Sequence, residues 1–238
     1  MKLDILAFGA HPDDVELGCA GTLAKEIARG KKVGIVDLTR GELGTRGSAE
    51  LRDKEAADAK EILGVSVREN LRFADGFFVN DKKHQLEIIK MIRKYQPETV
   101  LCNAVDDRHI DHPKGSKLVS DACFLSGLQK IKTSLNGEAQ SHWRPTKVYH
   151  YIQWKNIEPD FVLDITGYMD KKIASVMAYS SQFYDPASDE PETPITSKNF
   201  IESISYRAKD LGRLVGVDFA EGFVSERYIA IENLDKIF

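Results

Sequence analysis

Two short stretches of this 238-residue sequence concentrate the residue types that bind metals and move protons. The first is Gly9–Asp14 (GAHPDD), and the second is Asp106–His112 (DDRHIDH). Three of the six histidines of the chain lie within them. Two histidines and one carboxylate, with a position left open for water, make up a catalytic zinc site. The residue types therefore predict metal-dependent hydrolysis, provided that the two stretches meet.

Each stretch also has an interpretation that needs no metal. Pro12 and one aspartate are ordinary residues at a helix N-terminus, although that leaves His11 and the other aspartate unexplained. The second stretch could be a polar loop in which Asp111 caps a helix. A dinucleotide-binding turn is excluded at the first stretch, because its carboxylates would repel a pyrophosphate.

Hydrophobic periodicity predicts the elements that carry these stretches. Apolar runs predict strands at 3–8, 32–38, 70–73, 99–103, 148–152 and 161–165. Helical spacing predicts helices at 15–30, 49–63, 83–95, 113–127, 171–179 and 200–214. The β-α-β-α order predicts an α/β fold with a doubly wound, mostly parallel sheet and an irregular C-terminal third, in a single domain over residues 1–238.

The topology of such a sheet would join the two stretches. In the common doubly wound order the first and fourth strands are neighbours, and ligands bind beyond their carboxyl ends at that switch point. Each stretch follows one of these strands, so we expect His11 and His112 to face one crevice. His11 also precedes Asp14 by three residues at a strand end, a spacing that can direct both side chains to one point.

Composition indicates which classes of partner to exclude and in which compartment the protein is expected. With 33 basic and 37 acidic residues the net charge is −4, which predicts neither nucleic-acid nor membrane binding. No apolar run reaches the roughly 18–20 residues that span a bilayer, and the short apolar run after Asp4 is predicted to be a strand, not a signal peptide. Cys19, Cys102 and Cys123 lie in apolar segments and are predicted to be buried thiols in a cytoplasmic protein.

Through the motifs AHPDD (10–14) and HIDH (109–112) the sequence resembles the LmbE/PIG-L deacetylase family. The resemblance covers most of the chain. It implies a Rossmann-like fold, a divalent metal that is usually zinc, and a homo-oligomer, often a trimer or a hexamer. Further segments resemble the branch that deacetylates N-acetylglucosaminyl-L-malate in bacillithiol biosynthesis: GTRG (44–47), LR (51–52), SQFYDP (181–186) and AEGF (220–223).

The resemblance also implies roles for individual residues. His11, Asp14 and His112 match the metal ligands of the family. Asp13 matches the general base that takes a proton from the attacking water. His109 matches the histidine that, when protonated, stabilises the tetrahedral intermediate. The expected reaction is the release of acetate from a small-molecule amino sugar.

Substrate recognition is expected to involve arginines. A malyl group carries two carboxylates, which favour a bidentate cation, and the candidates are Arg52, Arg46 and Arg108. Arg52 matches an arginine that lines the substrate site of the family, although it could instead pair with Glu55 three residues on.

Two assignments stay open at this point. Some relatives place a tyrosine over the carbonyl oxygen, where this chain has Phe200, so either the metal and His109 suffice or another group such as Tyr184 contributes. Asp111 could orient His109 or His112 from outside the ligand set, or it could be a helix cap.

Other functions are compatible with the same motifs. Within the class, the substrate could be a chitin fragment or a mycothiol-type conjugate. Two histidines and one carboxylate also form the iron site of non-haem oxygenases, and Fe²⁺ accepts the same ligands as Zn²⁺. A non-catalytic sugar or metal binder is a third possibility. Asp13 argues for hydrolysis, because neither an oxygenase nor a simple binder requires a second carboxylate beside the ligand.

Overall fold

The computed structural model describes residues 1–233 and residue 235. Most of its strands form a seven-stranded sheet, and a separate two-stranded hairpin lies beside it. The strands of this described part are β1 (Ile5–Gly9), β2 (Val33–Asp37), β3 (Val67–Asn70), β4 (Thr99–Cys102), β5 (Ser134–Leu135), β6 (Glu138–Ala139), β7 (Lys147–Tyr151), β8 (Phe161–Asp164) and β9 (Ala220–Ser225). The order in the large sheet is β3-β2-β1-β4-β7-β9-β8, and β5 pairs with β6.

Helices cover both faces of the sheet. They are α1 (Asp14–Ala28), α2 (Ala49–Leu63), α3 (Lys82–Tyr95), α4 (Asp111–Ser126), α5 (Met169–Met177) and α6 (Lys198–Val215). Capping residues explain several of their ends. The Ser48 side chain accepts the amide of Leu51 at the start of α2, and Gly64 ends that helix with a φ of 79°. No helix in the described residues is long and apolar enough to cross a membrane.

Two apolar layers hold the helices to the sheet. On one face Leu6 and Phe8 of β1 pack with residues of α3 and α4, such as Ile88 and Leu118. On the other face alternate residues of β1 pack against α1 and α2. Every residue of β1 and β2 is buried, as expected for parallel strands that are covered on both sides.

The first and fourth strands are neighbours, as the sequence predicts. β1 pairs in parallel with β2 on one side and with β4 on the other. The strand order therefore reverses direction at β1, and the loops after β1 and β4 leave the same edge of the sheet side by side. This is the switch point at which open α/β sheets bind ligands.

The three cysteines are free and buried, also as predicted.

The C-terminal third is more regular than predicted. β7 continues the parallel sheet beyond β4, and β9 runs antiparallel between β7 and β8. Strand β9 is not predicted from the sequence AEGFVS, because Glu221 and Gly222 interrupt the apolar pattern of the strand.

The strand predicted at 70–73 lies instead at Val67–Asn70, because β2 offers pairing partners only up to Asp37, opposite Asn70.

Helix α1 has a kink, and the side chains of a buried ion pair, Lys172 and Glu221, hydrogen-bond to the backbone groups at this kink. Cys19 departs from helical geometry with φ −145° and ψ 17°. The buried Glu221 carboxylate accepts the amides of Gly21 (3.0 Å) and Thr22 (2.7 Å), so it caps the second half of the helix. Lys172 Nζ donates to Glu221 (2.5 Å) and to the carbonyl of Leu17 (2.7 Å), which ends the first half. The pair thereby satisfies backbone groups that the kink frees.

Replacing Lys172 by methionine should therefore destabilise the protein strongly. The Glu221 carboxylate would lose its buried partner, a change that typically costs about 3–5 kcal/mol. Urea denaturation measures the free energy of unfolding. Lys171→Met is the matched control, because Lys171 is the exposed neighbour on the same helix. Equal unfolding midpoints for the two variants would contradict a stabilising role for the pair.

Candidate active site

The loop after β1 makes a close turn before α1 begins at Asp14. A side chain at Gly9 would approach the carbonyl oxygen of His11 to 2.9 Å, so this position requires glycine. Asp13 has a φ of 115°, a conformation that typically costs a non-glycine residue about 1–3 kcal/mol. Its side chain makes no capping hydrogen bond, unlike an ordinary helix-capping aspartate. The turn therefore frees the Asp13 carboxylate.

The loops after β1 and β4 are joined through the Asp14 carboxylate. Asn103 Oδ1 accepts the amide of Ala10 (2.8 Å), while Asn103 Nδ2 donates to Asp14 Oδ2 (2.9 Å). Gln153 Nε2 donates to Asp14 Oδ1 (2.9 Å). Each carboxylate oxygen thus has an amide donor that fixes its orientation. The sequence motifs do not reveal Asn103 and Gln153, although each follows a strand that ends at this edge.

His11 and His112 both contact the Asp14 carboxylate. His11 Nδ1 lies 3.5 Å from Asp14 Oδ2, and His112 Nε2 lies 3.1 Å from Asp14 Oδ1. The centroids of the two imidazole rings are 5.6 Å apart. Tetrahedral zinc with bonds of about 2.0–2.2 Å needs ligand atoms roughly 3.3–3.6 Å apart. The donor types suit a divalent cation, and the spacing from each imidazole to the carboxylate is close to that range.

Carboxylates contact the outer nitrogen of each imidazole. Asp107 Oδ2 lies 2.6 Å from His112 Nδ1. His11 Nε2 has two such neighbours, Asp75 Oδ1 at 3.1 Å and Asp111 Oδ2 at 3.5 Å. Such contacts place the ring proton on the outer nitrogen, which leaves the inner nitrogen free to bind a metal.

Asp111 therefore contacts a different histidine from those expected. Its carboxylate faces His11, not His109 or His112, because Oδ2 also accepts the amide of Gly76 (2.7 Å) from the loop that carries Asp75. It makes no capping bond to α4. Asp75 and Asp107 were not predicted as site residues.

The electrostatics of this cluster favour a cation. Burial would lower the pKa of His112, but the charge of Asp14 and the hydrogen bond that His112 donates to Asp107 raise it to about 9. Burial is likewise outweighed at His11, where hydrogen bonds with Asp111, Asp14 and Asp75 raise the pKa well above its ordinary value. The potential at this cluster is thus negative, and it attracts a metal ion for the same reason that it attracts a proton.

Asp13 is held beside this cluster by Arg52. Arg52 Nη2 donates to Asp13 Oδ2 (3.2 Å) and to the carbonyl of Pro12 (2.9 Å), and both side chains are buried. Burial raises the pKa of Asp13 to about 7, although the charge of Arg52 opposes the shift. The alternative partner Glu55 accepts the amide of Ser181 instead. Arg52 thus contacts the expected base, and it does not pair with Glu55.

His109 lies over the imidazoles of His11 and His112. Its ring centroid is 4.5 Å from that of His11 and 5.1 Å from that of His112. Nδ1 of His109 accepts the amide of Asp111 (3.3 Å), so the proton of the neutral ring is on Nε2. Burial and the charges of His11 and His112 lower the pKa of His109. These surroundings favour the neutral ring, and the protonated role that the resemblance implies for His109 stays a prediction.

A cavity of about 770 Å³ opens over these groups. That volume is within the range of small-molecule sites. Trp154 and Phe200 stack in its wall with centroids 5.4 Å apart, and Leu43 and Ile110 are exposed, apolar lining residues. The arrangement can hold a ligand over a metal with a carboxylate and an imidazole donor at hand.

The sequence profile of the GlcNAc-PI de-N-acetylase (PIG-L) family matches residues 6–123, which include both loops of the site. Over 147 residues the chain is 40% identical to a protein of Escherichia coli K12 named uncharacterized deacetylase YaiS. That alignment covers 58% of this chain and 75% of YaiS. The chain belongs to the PIG-L family.

Two further similarities extend over most of the chain. The diacetylchitobiose deacetylase of Thermococcus kodakarensis is 29% identical over 190 residues, which cover 75% of this chain and 70% of that protein. The crystal structure of conserved protein TT1542 from Thermus thermophilus superimposes with a TM-score of 0.85 at 37% identity, covering 98% of each chain. The α/β architecture is thus shared with PIG-L relatives, and the chain is an enzyme of this deacetylase family.

In this PIG-L enzyme the arginines expected to bind substrate have different surroundings. Arg46 is buried outside the cavity, where Nε donates to Glu190 (3.1 Å) and the guanidinium also contacts Phe183 and Ser188. Arg108 is exposed in the cavity wall, with its guanidinium 4.6 Å from the centroid of the Trp154 ring. Arg108 therefore lines the cavity and Arg46 does not, and a substrate contact of either arginine stays a prediction.

Phe200 occupies the cavity wall as an apolar residue. It stacks between Trp154 and Phe183, whose ring centroid is 6.0 Å away. Tyr184, the other residue considered for the carbonyl oxygen, does not line the cavity. His109 is therefore the better placed donor.

The carboxylate behind His112 should tune metal affinity. Asp107→Asn is expected to weaken zinc binding about 10–100-fold, because a carboxylate that orients a ligating histidine also raises its basicity. Competition with a chromogenic chelator measures the affinity. Asp106→Asn is the matched control, since Asp106 is exposed and pairs with Lys155 at the surface (2.8 Å). Equal affinities in the two variants would show that Asp107 does not act through His112.

Proposed function

We propose that this PIG-L enzyme hydrolyses the N-acetyl group of an N-acetylglucosaminide in a metal-dependent reaction that releases acetate. The observation that carries the proposal is that His11 and His112 both contact the Asp14 carboxylate, while Asp13 lines the same cavity. Zinc is the preferred metal because the donors are two imidazoles and one carboxylate, and Fe²⁺ is the alternative. A divalent cation bound there supplies Lewis-acid activation of water and of the amide carbonyl.

Asp13 acts as the general base in this scheme. Its side chain lines the cavity, and the Arg52 guanidinium holds one of its oxygens. The other oxygen can accept the proton of the attacking water and return it to the leaving amine. Arg52 is therefore a positioning residue for Asp13, and because it also lines the cavity, the substrate contact expected for it stays a prediction.

His109 donates to the oxygen of the amide carbonyl as negative charge develops there. The contact between its Nδ1 and the Asp111 amide leaves Nε2–H as the donor. Removing one such donor from an acyl-transfer site typically costs about 3–4 kcal/mol of transition-state stabilisation. No tyrosine is required for this step, which accounts for the phenylalanine at position 200.

The preferred substrate is N-acetylglucosaminyl-L-malate. The GlcNAc-directed family description and the chitobiose deacetylase among the relatives support an amino sugar. The sequence segments that resemble the bacillithiol branch and the Arg108 guanidinium in the cavity wall support an acidic group attached to it. Another amino-sugar conjugate, such as a chitin fragment or a mycothiol-type compound, is the runner-up. The single-domain organisation, the cytoplasmic location and the trimeric or hexameric assembly stay predictions.

An acetate-release assay tests the proposal directly. The purified protein is incubated with N-acetylglucosaminyl-L-malate, diacetylchitobiose and methyl N-acetylglucosaminide, before and after chelation and again after zinc re-addition. We expect release that chelation abolishes and zinc restores, without oxygen or a co-substrate. A requirement for oxygen would indicate the oxygenase alternative, and the absence of acetate from every glycoside would contradict the proposed function.

Asp13→Asn should separate metal binding from turnover. The amide retains the shape of the side chain and its contact with Arg52 but cannot accept a proton, so kcat should fall about 10²–10⁴-fold. Metal content, measured by atomic emission, should stay at the wild-type level because Asp13 is not a ligand. A variant that has full metal occupancy and near-normal kcat would remove Asp13 from the mechanism.

A further inference from the structure

Arg207 is a cavity-lining cation that the motifs do not reveal. It lies in the middle of α6, and its side chain is partly buried. Its Nη2 donates to the carbonyl of Trp154 at 2.7 Å. Within residues 1–233 and 235 no carboxylate forms an ion pair with it. Burial lowers its pKa, although the charge of Asp107 opposes the shift. The guanidinium therefore has a negative charge in its neighbourhood but lacks the direct carboxylate contact that a partly desolvated cation needs.

Other arginines with buried side chains in the described chain have a carboxylate partner or several acceptors. Arg52 pairs with Asp13, and Arg68 pairs with Asp37 and Glu16. Arg93 has no carboxylate, but it donates to three backbone carbonyls and to the hydroxyl of a threonine. A guanidinium carries five N–H groups. Only one hydrogen bond of Arg207 is found in the described structure, which leaves donors for a ligand.

Trp154 connects Arg207 to the metal-binding residues. The Trp154 amide donates to Asp107 Oδ2 (3.3 Å), the same oxygen that contacts His112. The Trp154 ring lies beneath the guanidinium of Arg108. Arg207 and Arg108 therefore both contact Trp154 in the cavity wall, one at its carbonyl and the other at its ring, next to the expected metal site. They form a positive region in a cavity whose catalytic end is lined by Asp13, Asp14 and Asp75.

We propose that Arg207, together with Arg108, forms an anion subsite that binds a carboxylate of the group attached to the sugar. This inference rests on the proposed function and adds the recognition of an acidic aglycone. The negative end of the cavity would repel an acidic aglycone, while the two guanidiniums attract it. The charge separation thereby places the amide over Asp13 and the acid over Arg207.

Arg207→Gln tests this subsite. Glutamine can still donate to the Trp154 carbonyl and favours helix, but it removes the charge. kcat/KM is measured for N-acetylglucosaminyl-L-malate and for the uncharged methyl N-acetylglucosaminide. We expect the ratio of the two values to fall about 10–100-fold, mainly through KM for the acidic substrate. Arg213→Gln is the matched control, because Arg213 is exposed on the same helix and pairs with Asp210.

The possible results separate the subsite from other roles. Equal losses on both substrates would mean that Arg207 only holds the Trp154 backbone, and an unchanged ratio would also overturn the inference. If the wild type releases acetate from neither substrate, the proposed function fails, and calorimetric titration with glucosaminyl-L-malate decides the subsite separately. Binding to the wild type that weakens in Arg207→Gln would support it. Equal binding, or no binding to the wild type, would overturn it.

Discussion

The structure of this protein depends on how it stabilises a buried concentration of negative charge at one edge of its sheet. Asp14, Asp75, Asp107 and Asp111 surround two imidazoles there, and these carboxylates are largely removed from water. Carboxylates so close together repel one another unless positive charge lies between them. Asn103 and Gln153 orient Asp14, yet their amides carry no net charge. A divalent cation is the group that completes such a site, which is why its geometry indicates a metal centre more strongly than any single residue.

The fold is arranged so that this charge cluster forms on rigid supports. β1 and β4 are adjacent and parallel, so their loops leave the sheet together, and β7 supplies a third loop from the next position. Backbone strain at Asp13 keeps its carboxylate out of the helix cap and beside the ligands. On the far side of α1 the Lys172–Glu221 pair stabilises the kink that follows the first helical turn. The same helix thus contacts the Lys172–Glu221 ion pair at its kink and carries the proposed metal ligand Asp14 at its N-terminus.

Much of this arrangement follows from sequence, but the supporting shell of the site does not. Strong apolar runs identify β1, β2 and β4, and the switch-point rule then brings His11 and His112 together. Asp75 gives no such signal, because an isolated aspartate in a loop looks like any solvated residue. Arg46 and Arg52 were expected to bind substrate, yet each has a protein partner far away in sequence, and periodicity carries no information about such contacts. Arg207 is hidden for the same reason, since a helical arginine is ordinary until its surroundings are known.

The central claim is that His11, Asp14 and His112 hold one divalent cation between them. Anomalous diffraction at the zinc edge, from crystals grown with zinc, measures its position without reference to activity. The claim predicts one strong peak per chain, about 2.0–2.2 Å from His11 Nδ1, an Asp14 oxygen and His112 Nε2. A peak on the opposite side of His11, among Nε2, Asp75 and Asp111, would contradict it, because these residues form one of the two candidate donor groups of the described structure, the other being His11, His109 and His112. The absence of any peak at this edge of the sheet would contradict it equally.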